Sequence, residues 1–418
     1  MRDRLRLLIN RIKMKLWVKP LIIAVISASA VFLSKIVDSV NIAKILPDIS
    51  QYSIETLLAI ISASMLVIAA LAVTTMVAAY SSASNTATPR SFPLVISDDV
   101  SQNALSTFIG AFIFSIFALI AINNNYYEKP GRFVIFIQTL FLLIMVIGIF
   151  IRWVDRIARL GRLGGTIVKV ESATNAAFKR RRLAPSLRCV PVFSKIYEGQ
   201  AIFGKKIGYV QRIDLKTLQT YAERSGTFIA VAALPGKFVA PDHALVFISA
   251  KNNDLPPIDT AAIENAFVIG NERQFGEDPR FGLIVLSEIA SKALSPAVND
   301  PGTAISIIGS FVRLFALWTE PAKESEASNI VYDRIQVPAL TLHDMFDDAF
   351  TAIARDGAGI VEVALRLQKA LKSLASIDNV SMHEAIIRHS DLALARSEIA
   401  LNLYEDREII RKAAKEVR

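Results

Sequence analysis

The chain has 418 residues, of which 53% are hydrophobic and 20% charged, and its formal net charge is +9. Soluble domains average roughly 45–50% apolar and about 25% charged residues, so this composition favours a membrane protein. The apolar content excludes a wholly disordered chain. The single cysteine, Cys189, excludes a disulfide scaffold.

The charge is unevenly placed along the chain. Residues 1–190 contain 22 Lys and Arg against 9 Asp and Glu, whereas the remaining residues contain 25 against 29. The positive charge therefore belongs to the apolar half, as in a membrane domain with basic flanks followed by a near-neutral soluble domain. A nucleic-acid-binding face would need Lys and Arg clustered on a folded domain, so we predict no nucleic-acid partner.

Four charge-poor stretches are long enough to cross a bilayer as helices, which takes about 20 residues. They lie at about 17–37, 57–80, 105–122 and 133–151. A basic N-terminus at 1–16 precedes this transmembrane domain at 17–151, and a basic connecting helix and linker follow at 152–189. The sequence thus predicts an N-terminal four-helix transmembrane bundle.

Basic residues lie before the first span and after the fourth, whereas the loops at 36–56 and 123–132 are poor in them. Because Lys and Arg are retained on the cytoplasmic side, we predict that both termini are cytoplasmic. A competing interpretation is a cleaved signal peptide, since small residues at 27–30 resemble a cleavage site.

No ionisable residue lies in the middle of a predicted span, which argues against an ion-coupled carrier. Small and hydroxyl side chains are frequent in the second and third spans, where they permit close helix packing or line a pore. Packing within one bundle is favoured over a specific oligomer interface, and a pore lined by these side chains stays open as a further interpretation. The candidate residues are Ser62, Ser64, Thr74, Thr75, Ser106, Gly110 and Ser115.

A compact basic run, Arg180, Arg181 and Arg182, lies after the last span. Beside a membrane such a run can hold anionic lipid headgroups. A solvated helix end is the alternative, and the sequence favours neither. These three arginines are therefore candidate lipid ligands.

The soluble part is predicted to be α+β and cytosolic. A β-rich module at 190–250 contains three strand-like segments, GYVQRI, TFIAVAAL and HALVFISA, a short helix capped by Asp214, and a turn at 234–237. A helical module follows at 256–418. Its helices are predicted near 258–269, 279–294, 301–319, 341–375 and 381–416.

The segment from 271 to 303 contains two Asp-Pro pairs, Asp278-Pro279 and Asp300-Pro301, each typical of an N-cap followed by the first helical residue. Free N–H groups at the second helix start can also receive an anion. Helix capping and a ligand site thus remain two interpretations. The residues concerned are Asp278, Ser295, Asn299, Asp300 and Thr303.

The stretch DPRFGLIVLSEIASKALSPAVNDPGTA, residues 278–304, resembles the distinctive region of a bacterial family of predicted membrane proteins, domain of unknown function family 2254. Weaker similarities cover 89–115 and 208–239. The resemblance implies a multi-span bacterial inner-membrane protein with a cytosolic domain. It implies no molecular activity.

Enzyme signatures are absent from the sequence: there is no phosphate-binding loop, nucleophile elbow or HExxH motif. His343 and Asp347, near Asp344 and Asp348, share a helix face, but two ligands on an acidic surface rarely bind metal. We therefore predict no enzyme, cofactor or metal site. His243, His383 and His389 have no evident partners in the sequence.

Two functions follow from these observations. The first is a homo-oligomeric channel-like conduit with a cytosolic ring domain, favoured narrowly by the small and hydroxyl residues of the spans. The second is a membrane-anchored sensor or scaffold whose cytosolic domain binds a partner or small ligand. Expected partners are membrane lipids, including anionic ones, and further copies of the chain.

Overall fold

A computed structural model describes residues 17–39, 46–96, 99–159, 162–192, 198–250, 256–320, 329–377 and 379–418. The predicted basic N-terminus at 1–16 lies outside these ranges. The chain divides into two compact units, Met1–Thr166 and Ile167–Arg418. It is mostly helical, with several apolar helices and a mixed sheet, which confirms the α+β class.

Five helical stretches in the described residues are long and apolar enough to cross a membrane. The first four coincide with the four predicted spans, whereas the fifth lies in the second unit, where the sequence predicted a cytosolic helix. They are Val18–Ser39, Gln51–Ser84, Asp99–Asn123, Lys129–Ala158 and Pro301–Thr319.

The first unit is built from helices of very unequal length. Its helices are α1 (Val18–Leu33), α2 (Gln51–Thr86), α3 (Phe92–Ile96), α4 (Asp99–Asn123) and α5 (Lys129–Arg159), with 3-10 turns at Ser34–Ser39 and Pro89–Ser91. At 1.5 Å per residue, the 36 residues of α2 exceed what a bilayer core requires.

Helix α4 is the centre of the first unit, since α1, α2 and α5 all pack against it. Phe108 of α4 is fully buried, and its ring lies edge-on to Trp153 of α5 with centroids 5.9 Å apart. Gly110 faces α1, where a side chain would collide with Ile23 and Ser27. The absence of a side chain thus lets the two backbones approach closely.

The start of α5 is held by a remote carboxylate. Asp38 accepts hydrogen bonds from the backbone N–H of Glu128 at 3.0 Å and of Gly131 at 2.6 Å, and it pairs with Lys35. These N–H groups have no partner within their own helix. Asp38 therefore fixes the segment after α1 to the first turn of α5.

The second unit combines nine helices with two sheets in the described residues. The helices are α6 (Leu163–Leu183), which begins just before the unit boundary, α7 (Leu215–Ser225), α8 (Thr260–Asn265), α9 (Pro279–Ala293), α10 (Pro301–Thr319), α11 (Leu342–Asp356), α12 (Val361–Ala375), α13 (Val380–Ala400) and α14 (Tyr404–Lys415). The strands are β1 (Cys189–Val192), β2 (Gln200–Phe203), β3 (Gly208–Ile213), β4 (Thr227–Val231), β5 (Phe238–Val239), β6 (Ala244–Ala250), β7 (Phe267–Gly270) and β8 (Tyr332–Pro338).

The larger sheet has five strands in the order β1-β8-β4-β6-β2. Strand β8 is parallel to both β1 and β4, while β6 is antiparallel to β4 and β2. The smaller sheet is antiparallel, in the order β5-β3-β7. Their inward residues, among them Val210, Ile229 and Ile335, form one apolar core.

The predicted elements differ from the structure mainly in the helical module. The three predicted strands and the Asp214 cap are confirmed, with Asp214 accepting from the N–H of Thr217 at 3.1 Å. The predicted helix at 258–269 is instead α8 followed by β7. Strand β8 was not predicted, so the sheets draw strands from beyond the predicted 190–250 module. The predicted helices at 341–375 and 381–416 each divide into two.

Helix α10 lies in the aromatic core of the second unit. Phe311 and Phe315 are fully buried against Phe346 and Phe350 of α11, with ring centroids 4.3–5.7 Å apart. Arg313, on the same helix, pairs with Glu171 of α6 at 2.6 Å. One face of α10 is thus packed against other helices of the second unit.

We predict that Gly110→Ala destabilises the first unit, because the added methyl group collides with Ile23. Overpacking of this kind costs about 1–3 kcal/mol. Thermal unfolding of the purified protein in detergent should show the loss, and Ile23→Ala should restore part of it in the double variant. Gly148→Ala on α5 is the matched control, since nothing lies within 4 Å of that position. Equal melting temperatures for the two glycine variants would contradict the packing assignment.

Candidate functional site

The residues around the start of α9 form a buried ion-pair cluster. Asp278, only 4% exposed, accepts two hydrogen bonds from Arg273, at 2.6 Å from Nε and 3.0 Å from Nη2. The same carboxylate caps α9 by accepting from the N–H of Phe281 at 3.3 Å. A bidentate pair of this kind fixes both distance and orientation. Asp278 therefore joins the loop after β7 to the first turn of α9.

The turn between β4 and β5 closes over this carboxylate. Gly236 has φ +91°, a conformation that residues with side chains rarely adopt, and a side chain there would collide with the Asp278 carboxylate. Its N–H donates to the carbonyl of Val210 at 2.8 Å. The β-rich and helical parts of the second unit thus meet at Asp278.

A second ion pair is made by Arg280, the second residue of α9. Arg280 donates to both oxygens of Asp348 on α11, at 2.5 and 3.1 Å, and contacts Asp344 at 3.3 Å. Burial raises the pKa of Asp348 above its usual value, and the guanidinium of Arg280 opposes that shift. Arg280 thereby links α9 to α11.

Arg181 of α6 is buried close to this cluster, with 4% of its surface exposed. Its Nε and Nη2 have no hydrogen-bond partner among the described residues. Burial lowers the pKa of its guanidinium to about 10, against the opposing charges of Glu277 and Asp278. The neighbouring Cys189 is also buried, which raises the pKa of its thiol to about 12 and makes it a poor nucleophile.

The three arginines predicted to bind lipid are engaged differently. Arg180 donates to the carbonyl of Gly276 at 2.6 Å, and Arg182 binds the carbonyl of Leu317 and the carboxylate of Glu320 at 2.9–3.0 Å. Arg181 is too buried to reach a headgroup. Arg180 and Arg182 thus make contacts inside the second unit, and lipid binding by the run stays a prediction.

The connection between α9 and α10 is a compact, internally bonded turn. Asp300 accepts from the N–H of Thr303 at 3.1 Å and from its hydroxyl at 2.6 Å, which lowers the pKa of Asp300. Asn299 takes a left-handed conformation with φ +50°, which asparagine tolerates well. Ser295 bonds back to the carbonyl of Lys292. The capping role predicted for Asp278 and Asp300 is thus confirmed, and Asp300 occupies the N–H of Thr303 at the start of α10.

The acidic face of α11 is neutralised by neighbouring helices. Asp347 binds Arg388 at 2.6 Å and His389 Nε2 at 3.1 Å, and His343 lies 3.7 Å away. His389 is 1% exposed, packs against Phe346 and Phe350, and its Nδ1 has no described partner. Burial lowers the pKa of His389 to about 4.

In the described part of the chain, no group of three or more His, Cys, Asp or Glu could hold a metal ion.

The transmembrane candidates separate into two groups. Ser62, Ser106, Gly110 and Ser115 are buried inside the single-chain bundle, whereas Ser64 and Thr74 are exposed and Thr75 is half-buried. The hydroxyls of Thr74 and Thr75 donate to carbonyls four residues earlier, at 3.0 Å.

The sequence missed five residues of these clusters, namely Gly236, Arg273, Arg280, Arg388 and His389. Gly236 lies in the predicted turn at 234–237, but its carboxylate neighbour is 42 positions away along the chain. His389 carries a local signal, because it falls three residues after Ile386 and four before Ala393 on the buried stripe of α13. Such spacing indicates a core histidine.

Comparison with known proteins identifies the family. The model of the family described as "Predicted membrane protein (DUF2254)" matches residues 13–373. The chain belongs to this family. The match includes the ion-pair cluster and α9–α10 of this DUF2254 protein, and all four predicted spans.

Curated relatives from mycobacteria share a shorter similarity with this DUF2254 protein. Over 108 residues it is 32% identical to Uncharacterized protein Rv1290c of Mycobacterium tuberculosis strain H37Rv and to Uncharacterized protein Mb1321c of Mycobacterium bovis. The similarity covers 24% of this chain and 20% of each relative, so the chain spans about a fifth of their length. No solved structure matches.

The contacts at Asp278 predict that Gly236→Ala and Asp278→Asn both destabilise the second unit. The first places a methyl group on the carboxylate, and the second breaks a buried pair, a change that costs about 3–5 kcal/mol. Both should lower the melting temperature in detergent by several degrees. Gly276→Ala is the matched control, because nothing lies within 4 Å of that glycine. If Gly236→Ala melted like Gly276→Ala, the close approach of the turn to Asp278 would be wrong.

The buried histidine predicts a pH-dependent stability. His389 has a folded pKa of about 4, below its ordinary value of 6.5, so the unfolded chain binds a proton first as the pH falls. The contribution of the neutral His389 to the free energy of unfolding is complete above pH 6.5. It is lost as the pH falls towards 4, by roughly 3 kcal/mol in total. Unfolding of the wild type and of His389→Leu should therefore diverge from pH 7 to pH 4, the wild type losing more stability. The exposed His383→Gln is the control, and it should follow the wild type.

Proposed function

We propose that the four apolar helices of the first unit span the inner membrane of a bacterium with both termini cytoplasmic, and that α10 does not span. Support for the second point comes from the ion pair of Arg313 with Glu171 and from the burial of Phe311 and Phe315. The side chain of Arg313 is 63% exposed, and a charged side chain exposed to a bilayer core is costly. We therefore propose that α10 lies in the water-exposed part of the protein.

Within the membrane, we propose that copies of the chain meet along α2 to form a conduit, with the second units as a cytosolic ring. The supporting observation is an exposed stripe of small side chains on one face of α2, repeating every three to four or seven residues. The stripe consists of Ala63, Ala70, Thr74, Ala78 and Ser81. Small residues on a lipid-exposed face allow another helix to approach closely.

The chemistry of that stripe suits a weakly selective pathway. It contains hydroxyl groups but no ionisable side chain, so a permeating species would meet neither a fixed charge nor a proton relay. The role is proposed to be non-enzymatic, since the carboxylates of the α9 and α11 clusters are held by arginines.

The proposal is tested by cysteine accessibility in proteoliposomes. In a Cys189→Ala background, Thr74→Cys is treated with a charged, membrane-impermeant thiol reagent. A water-filled axis predicts rapid modification of Thr74→Cys and disulfide-linked dimers on mild oxidation. The control is Phe141→Cys on α5, which is 67% exposed in the single chain and is expected to face lipid. Because a thiol in lipid stays protonated and dry, the control should remain unmodified.

Two results would contradict the conduit. One is a purified protein that is monomeric in detergent and in nanodiscs. The other is an oligomer whose Thr74→Cys is as unreactive as Phe141→Cys, because its axis would then be sealed by lipid or by packed side chains.

A membrane-anchored scaffold or sensor is the second candidate, and a separate observation favours it. Ile399, Leu403 and Tyr404 are exposed at the turn between α13 and α14, and adjacent exposed apolar side chains are typical of protein-binding surfaces. A photo-crosslinking amino acid at Tyr404 should then trap one defined cytosolic protein in cells. The same probe at Val380, on the opposite end of α13, is the control.

A further inference from the structure

The smaller sheet of the second unit presents an apolar outer face. Tyr209 of β3 pairs directly with Phe238 of β5, and their rings contact edge-on with centroids 5.2 Å apart. Ile207 lies in the loop directly before β3, two residues before Tyr209 in the chain. Ile207 is 61% exposed and Phe238 is 48% exposed. We call these three residues the aromatic face.

Lysines flank the residues of the aromatic face along the chain. Lys205 and Lys206 are exposed and immediately precede Ile207, and Lys237 immediately precedes Phe238. Lys237 donates from Nζ to the carbonyl of Ala232 at 3.0 Å and remains exposed. No Asp or Glu lies in residues 203–209 or 232–241. The two chain segments that carry these apolar side chains thus contain lysines and no acidic residue.

The backbone under the aromatic face is well fixed. Val210 donates to the carbonyl of Lys237 at 2.9 Å, and Gly236 donates to the carbonyl of Val210 at 2.8 Å. The opposite side of β3 and β5 is anchored by Val210 and Val239, which are fully buried in the core. The exposed side chains are therefore presented by a rigid sheet, and little ordering would be lost on binding.

The combination of residue types indicates a membrane surface as the occupant. Protein interfaces are depleted in lysine relative to the rest of the protein surface, whereas interfacial membrane contacts combine aromatic and aliphatic side chains with lysine. Lysine stems lie along apolar material while their ammonium groups reach the headgroups. The chain also carries apolar spans, which would hold the second unit at high effective concentration beside a bilayer.

We propose that the aromatic face binds the anionic surface of the bilayer in which the chain is anchored, with Phe238 and Ile207 at the acyl boundary and Lys205 and Lys206 on lipid phosphates. This contact is independent of whether the first unit forms a conduit or only an anchor. It places lipid recognition on the small sheet, and not on the arginine run of α6.

The test uses the full chain in nanodiscs. In the Cys189→Ala background, Ile207→Cys is labelled with an environment-sensitive fluorophore, and discs of phosphatidylcholine alone are compared with discs that also contain phosphatidylglycerol. Insertion predicts brighter, blue-shifted emission in the anionic discs, and added salt should reverse the change because it screens the lysines.

The lysines are then removed in pairs. Lys205→Gln with Lys206→Gln should lower the ratio of docked to undocked protein roughly 25-fold, from a contribution of about fivefold per lysine. The matched control is Lys216→Gln with Arg224→Gln, which removes two exposed charges from α7 of the same unit. This control should leave the emission unchanged. A further variant, Phe238→Ser, should lower docking in the anionic discs while the melting temperature is retained.

Three results would overturn the proposal. Emission that is identical in the two kinds of disc would show that anionic lipid is not recognised. An equal effect of the two charge-removal pairs would show only a general attraction. A fluorophore that is shielded in both discs and insensitive to salt would show that the face is covered by protein. None of these readouts depends on the reactivity of Thr74→Cys, so this proposal and the conduit fail independently.

Discussion

The carboxylate of Asp278 is the contact on which the architecture of the second unit depends. It simultaneously neutralises Arg273, caps the first turn of α9 and lies under the turn that contains Gly236. A buried carboxylate is tolerated only where its charge and its hydrogen-bonding capacity are both satisfied. Arg273 neutralises the charge, and the N–H of Phe281 at the helix start donates a further hydrogen bond. The β-rich part and the helical part can therefore pack without leaving an isolated charge. The adjacent Arg280 extends the same arrangement to α11.

Different rules apply to polar groups in the first unit. There, hydroxyl side chains such as Thr74 and Thr139 donate to carbonyls in the preceding turn of their own helix. Because these bonds are local, a hydroxyl can face the interior or the exterior of the bundle without a partner on another helix. The close packing of α4 on α1 at Gly110 then depends on shape alone. Small residues inside the bundle and small residues on the outer face of α2 therefore have separate explanations.

How much of this could be predicted from the sequence depends on how local the determining interactions are. The four apolar spans, the two Asp-Pro helix starts and the strand β3 are encoded within short windows, and they were predicted. Strand β8 was not, because its place between β1 and β4 depends on partners more than 100 residues earlier in the chain. The pairs Arg280–Asp348 and Asp347–His389 likewise join residues 68 and 42 positions apart. Hydrophobic periodicity along one element carries no information about such partners.

Arginine and lysine have different environments in the second unit, so the net charge combines two kinds of positive residue. In the second unit, Arg182, Arg273, Arg280 and Arg313 all bind carboxylates at 2.5–3.0 Å, where a planar guanidinium can satisfy two acceptors at once. Lys205 and Lys206 instead lie exposed next to an apolar face. An ammonium on a flexible stem is suited to mobile, hydrated phosphates more than to a fixed carboxylate. A count of positive charges cannot distinguish these uses. Arg180 and Arg182, which the sequence left open between lipid binding and a solvated helix end, bond to carbonyls of the second unit, whereas Lys205 and Lys206 remain exposed.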